Sequence, residues 1–225
     1  MPYFDVIKLI VWKDLLSEMR NRENISSLFF FAFNVILIFS FSFSMDRDLT
    51  QAITPGLIWV AFGFTSVLGL GKSFLSETHN DCLAYLRMSP APKGAIYLGK
   101  FLGNLCLMLM VALILVPLFI LFFNLDVLDK LPLLFFVIAT ATLGLSALGT
   151  LFSALTVHTR AREVMFPLLL FPLAAPIFIS AVEATQGVLH GDPLPSYRHW
   201  VEILLVFDLV VTTVSLLMFE FILEE

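Results

Sequence analysis

LGKFLGNLCLMLMVALILVPLFILFF, residues 98–123, carries one charge, Lys100, at its third position. A helix rises about 1.5 Å per residue, so a run of this length covers the roughly 30 Å of hydrocarbon in a bilayer. No water reaches the backbone there, and every N–H and C=O group must find a partner within the chain, which leaves helices or a closed barrel. A barrel would show segments of about ten residues alternating apolar and polar, a pattern this chain lacks. The composition agrees with the helical choice. Of 225 residues, 59% are hydrophobic and 14% charged, with 24 phenylalanines and a mean hydropathy of +0.95, outside the range of soluble domains.

Working outward from that run, the hydropathy pattern predicts an all-α membrane protein with six transmembrane helices, at about 25–44, 53–70, 98–123, 131–156, 163–182 and 200–221. Pro55 falls close to the start of the second span, where a missing backbone donor is tolerated. Gly99-x-x-x-Gly103 opens the third span with a face that another helix can approach closely. The second half of the fourth span, with Gly144, Ser146, Ala147, Gly149, Thr150, Ser153 and Ala154, predicts tight packing and no large cavity on that side. Pro167, Pro172 and Pro176 predict a bent or broken fifth span. Residues 183–199 are left as the longest outer segment. Ten of the 13 Lys and Arg residues lie in 1–24, 71–100 and 157–162, against Arg47, Lys130 and Arg198 on the other side. That imbalance puts both termini and the 72–93 connection in the cytoplasm.

Two segments outside the spans stand out. Residues 3–19 read as an interfacial elbow helix with Phe4, Ile7, Val11, Trp12, Leu15 and Met19 roughly on one side, though Lys8 and Glu18 intrude. Trp12, Lys13 and Arg20 are its candidate interfacial residues. The amino terminus mixes charges with apolar residues and does not read as a secretory signal. Residues 72–88 predict a short cytoplasmic helix, closed by Ser89-Pro90-Ala91-Pro92. Leu75, Thr78, Cys82, Leu83 and Leu86 share one side of it, and Glu77, Asn80, Asp81, Ala84 and Arg87 lie on or near the other. Leu70-Gly71-Lys72-Ser73 is similar to the end of a phosphate-binding loop, but Ser66 stands where its first glycine belongs and a membrane helix precedes it.

The sequence shows no catalytic constellation and no metal-ligand spacing. Cys82 and Cys106 form no C-x-x-C pair, and His190 and His199, in a loop rich in proline and glycine, do not define a site. Asp208 is the one carboxylate well inside a span, which makes it a candidate functional residue or a helix-interface residue. Glu163, Glu183, Glu202 and Glu220 fall at span ends. The chain is expected not to be an enzyme, and any energy for work must come from another subunit.

Several runs carry a resemblance to a known family. They include VWKDLLSEMRNRE at 11–23, GLIWVA at 56–61, the E-T-H-N-D-C-L core of 72–86 and YLGKFLGN at 97–104. Further along are the T-R-A-R end of 148–162, EVMFPLLLFP at 163–172, A-V-E-A-T at 181–185 and FEFILEE at 219–225. The chain resembles the haem exporter protein B, or cytochrome c maturation protein B, family of ABC-transporter permeases. The resemblance implies an ABC-2-like permease in which 3–19 is the elbow helix and 72–88 the coupling helix, with Leu75, Glu77, Asp81, Leu83, Leu86 and Arg87 as ATPase-coupling residues. It implies a homodimer carrying two copies of an ATPase, cytochrome c maturation protein A, and associated with proteins C and D and the haem chaperone E. ATP and Mg would sit in the ATPase and haem in C and E, with no cofactor on this chain. The family is similarly linked to ATP-driven release of the haem-loaded periplasmic chaperone, or alternatively to transport of haem or another small molecule. The expected location is a bacterial inner membrane, or an organelle if the chain is organelle-encoded.

Overall fold

The computed structural model describes residues 3–20, 22–42, 47–74, 91–125, 127–157, 159 and 161–222. They form seven long helices: α1 (Tyr3–Arg20), α2 (Arg22–Ser42), α3 (Arg47–Leu70), α4 (Lys93–Phe123), α5 (Leu131–Thr156), α6 (Arg162–His190) and α7 (Leu194–Ile222), with a single 3-10 turn at Leu128–Lys130. Five stretches are long and apolar enough to cross a bilayer: Thr50–Leu70, Lys93–Phe123, Leu128–Thr156, Arg162–His190 and Leu194–Ile222. The apolar stretch of α2, Ser26–Ser42, is shorter.

Helix ends follow local chemistry. Asn124 closes α4 in the left-handed region, φ 47°, its N–H bonding the Ile120 carbonyl, and Gly191 closes α6 at φ 76° with bonds to the carbonyls of Gly187 and Val188. Pro132 lies in the first turn of α5, where the lost donor is unpaired in any case. Four buried hydroxyls are satisfied within their own helices: Thr65, Ser66, Thr142 and Thr156 each donate to the carbonyl four residues earlier.

α5 is the central element, packed against α3, α4, α6 and α7. Its small residues decide how close the neighbours come. A Cβ added at Gly149 would lie 2.5 Å from Leu70 Cδ1 of α3, and one at Gly144 would strike Asp208 of α7 and come within 2.8 Å of Ile177 Cδ1 of α6. The close packing expected of this face is what the structure has.

Several expectations need correction. The second span is part of a longer helix that begins at Arg47, so Pro55 sits in the interior of α3 and not in its first turn. The helix hydrogen bonds that hold α3 together need no hydrocarbon, and hydropathy marks only the apolar part. The same reason corrects the fifth span. α6 is one helix through Pro167, Pro172 and Pro176 to His190, not broken at any of them, and of the segment expected at 183–199 only 191–193 lie between helices. Ala184, Thr185, Gly187 and Val188 are buried, so packing carries the helix on past Glu183.

α1 differs in its faces. Val6 and Ile7 are buried with Ala95 of α4, and Ile10, Val11 and Leu98 pack around them. Phe4, Trp12 and Met19, expected on the same side as Ile7, are exposed, as are Leu9 and Leu16. The helix therefore has two apolar faces, only one of which the described chain covers. Gly99 and Gly103 explain which face was chosen. Their paired notches, one helical turn apart, receive Ile10 and Asp14 of α1, themselves one turn apart. The close helix partner of this glycine pair is thus α1.

Candidate functional site at the roots of the 75–90 segment

The candidate coupling residues Leu75, Glu77, Asp81, Leu83, Leu86 and Arg87 lie outside the described residues. What the structure describes are the residues that flank that segment, Ser73 and Phe74 before it and Ala91 after it. The departure follows α3 through a turn in which the N–H groups of Gly71, Lys72 and Ser73 bond the carbonyls of Val67, Gly69 and Leu70. This is a helix end and not the strand-to-helix loop of a nucleotide site.

Both roots are gripped by other helices. The Phe74 N–H donates to Ser153 Oγ of α5 at 3.4 Å, and the Phe74 ring lies 6.1 Å from that of Phe219 of α7. Phe219 also meets the Tyr97 ring of α4 at 5.3 Å, and Tyr97 stacks on Phe101 while its hydroxyl donates to the Ala147 carbonyl of α5. On the return side, Gly94 lies where α1 and α7 converge. A Cβ there would be 3.0 Å from the Tyr3 hydroxyl and 3.6 Å from Glu220 Oε1.

Lys100 stands at the middle of this junction, 1% exposed. Its ammonium lies 3.0 and 3.2 Å from the two carboxylate oxygens of Asp14 on α1 and donates to the Ser73 carbonyl at 3.3 Å. It also sits 5.1 Å from the centroid of the Phe74 ring, a cation–π distance. Asp14, at the rim, shares its Oδ1 with Lys13 at 3.2 Å. Neither Lys100 nor Asp14 stands out in the sequence as a site residue. The only local signal is that a lone charge sits between Gly99 and Gly103 at the head of a long apolar run, where a buried cation requires a partner.

The other candidates are spread through the fold. Trp12 is 65% exposed, Lys13 is exposed beside Asp14, and Arg20 closes the last turn of α1, where a cation favours the helix dipole. Asp208 is buried at the α5–α7 contact over Gly144, 4% exposed, and its Oδ1 has no hydrogen-bond partner among the described residues. His190 and His199 are exposed, and the His199 ring rests 4.7 Å from that of Trp200. Among the described residues no three His, Cys, Asp or Glu side chains stand together as a metal site. An apolar groove of about 250 Å³ runs between α3 and α6, lined by Trp59, Val60, Phe64, Phe171 and Phe178, with Gly56 and Gly63 in its wall. It is braced by the hydrogen bond from Trp59 Nε1 to Thr185 Oγ1 at 3.0 Å.

Long apolar helices packed on α5, with the ends of one connection held by α1, α4, α5 and α7, define a polytopic helical membrane protein. The CcmB protein family model matches residues 5–223. The chain belongs to the CcmB family, the ABC-2-like permease subunits of cytochrome c maturation system I. It is 30% identical to heme exporter protein B of Pseudomonas aeruginosa over 193 residues, 86% of each chain. The protein of that name from Haemophilus influenzae is 29% identical over 83% of this chain and 82% of its own length. That from Paracoccus denitrificans is 27% identical over 84% and 86%.

Proposed function

We propose that this chain couples ATP hydrolysis by a partner subunit to release of the haem-loaded periplasmic chaperone during cytochrome c maturation. In this reading α2 is the first of six spans, α1 is the elbow helix, and 72–88 carries the coupling helix that docks on a cytosolic ATPase. Leu75, Leu83 and Leu86 seat that helix, and Glu77, Asp81 and Arg87 face the ATPase. The permease works as a homodimer with two A subunits, which hold ATP and Mg, and with proteins C, D and E, of which C and E hold haem. The basic-residue imbalance supports cytoplasmic termini in a bacterial inner membrane.

One observation carries the reading: the root at Ser73 and Phe74, where the 75–90 segment begins, is tied to four helices. Phe74 reaches α5 and α7, and Ser73 reaches α4 and α1 through Lys100. Force applied to the segment would enter four helices at once, and the tight α5 contacts support passing it through as rigid-body movement.

Replacing Leu83 and Leu86 together by Asp is expected to abolish co-purification of the ATPase while membrane insertion persists. Normal co-purification would overturn the docking role. The relatives' name, heme exporter protein B, favours a second reading, haem transport, with Asp208 and the proline-bearing α6 along the route. Vesicles holding the complex separate the two. ATP-dependent discharge of the chaperone without haem entering the lumen supports release, and haem accumulating in the lumen without proteins C and E supports transport.

A further inference from the structure

We propose that Lys100 is a positioning residue that passes movement of the 75–90 segment to α1, so that the N-terminal helix is a moving part of the permease and not a passive membrane anchor. The inference rests on the coupling role given to that segment. Its ammonium is almost wholly buried and is held at the same time by the Ser73 carbonyl, one residue before Phe74 at the segment's root, and by both oxygens of Asp14 on α1. A buried ammonium cannot trade these acceptors for water, so the two parts it bridges must travel together. The ring of Phe74 closes one side of the site. Gly99 and Gly103, flanking Lys100, bring α1 near enough for the bridge to be direct. At the far end of α1 the Tyr3 hydroxyl approaches Gly94, so α1 lies along α4 from the return root of the segment to the bridge. Asp14 also contacts the exposed Lys13 at 3.2 Å.

The test uses the assembled complex with its ATPase, carrying Lys100→Met, Lys100→Arg or Asp14→Asn. Three quantities are read: ATPase captured, ATP hydrolysed, and chaperone released per ATP. Lys100→Met is expected to capture the ATPase within twofold of the parent while release per ATP falls at least tenfold. Lys100→Arg, which can donate to both acceptors, is expected to restore most of it. A merely structural lysine would lower capture and release in parallel and leave release per ATP unchanged, and that result overturns the inference. Should Lys100→Met fail to accumulate, Asp14→Asn, altered at the rim of the site, gives the same reading. Hydrogen exchange over α1 in the detergent-solubilised chain needs no partner and isolates the bridge itself. Residues 11–19 are expected to exchange at least tenfold faster in Lys100→Met than in the parent. Faster exchange with no ATPase bound to the parent complex would remove the coupling role and leave the bridge standing. Unchanged exchange would remove the bridge.

Discussion

Gly99 and Gly103 belong to one sequence motif, yet adding a methyl group to each is expected to move stability in opposite directions. At Gly99 the new Cβ would lie 2.7, 2.9 and 3.2 Å from Ile10 Cβ, Cγ2 and Cδ1. Carbon atoms in contact prefer about 3.5–4.0 Å, and Ile10 is β-branched, with little rotamer freedom to yield. Relief therefore requires α1 to move off α4 by about 1 Å, and overpacking of that kind costs about 1–3 kcal/mol. Against it stands the helix-propensity gain of alanine over glycine, about 1 kcal/mol. The clash wins, leaving Gly99→Ala destabilised by about 1 kcal/mol. At Gly103 the nearest atom is Asp14 Cβ at 3.4 Å, an ordinary contact. There the propensity gain stands alone, and Gly103→Ala is expected to be stabilised by up to about 1 kcal/mol. The gap of about 2 kcal/mol corresponds to roughly a 30-fold difference in unfolding equilibrium, readable by denaturant titration in detergent with helicity as the signal. Gly99→Ala matching or exceeding the parent, with Gly103→Ala the weaker of the two, would refute the placement of α1 on this face.

Three further outcomes follow from other contacts. Gly144→Ala drives a methyl group into Asp208 and Ile177 and is expected to cost about 1–3 kcal/mol. Asp208→Ala in the same chain should recover part of that loss, and strict additivity of the two changes in a double-mutant cycle would show they do not touch. Thr185→Val strands the buried indole N–H of Trp59 and is expected to cost about 1–3 kcal/mol, more than Trp59→Phe loses through its hydrogen bond. Equal thermal shifts for the two would count against the bond. A membrane-impermeant thiol reagent is expected to reach Cys82 only after the cytoplasmic face is opened, in a chain whose Cys106 is replaced by Ser, and labelling from the outside of sealed cells would reverse the topology.

The parts legible in the sequence are those in which a residue's own polarity decides the outcome. The fourth span was expected at 131–156, and α5 is Leu131–Thr156. The tight packing of its second half also followed, because a glycine or serine contributes little bulk whatever stands opposite. Helix ends were less legible. α3, α4 and α6 each run past the span expected for them by five or more residues at one end, since helical hydrogen bonding and packing on neighbours do not depend on hydrocarbon. The active face of α1 could not be chosen from its periodicity, because it has apolar residues on two sides and the notch that selects between them is on α4.

The sequence by itself therefore determined that the chain crosses a membrane as helices, where most of those helices run, and the family to which it belongs. Each of these depends on the solvation of single residues or on runs of neighbours. Only the tertiary structure decided that Lys100 meets Asp14 across 86 positions and Trp59 meets Thr185 across 126. A lone lysine at the head of an apolar run states that a partner is needed, but the choice of partner depends on which helices lie side by side, and that is set by shape at Gly99, Gly103, Gly144 and Gly149.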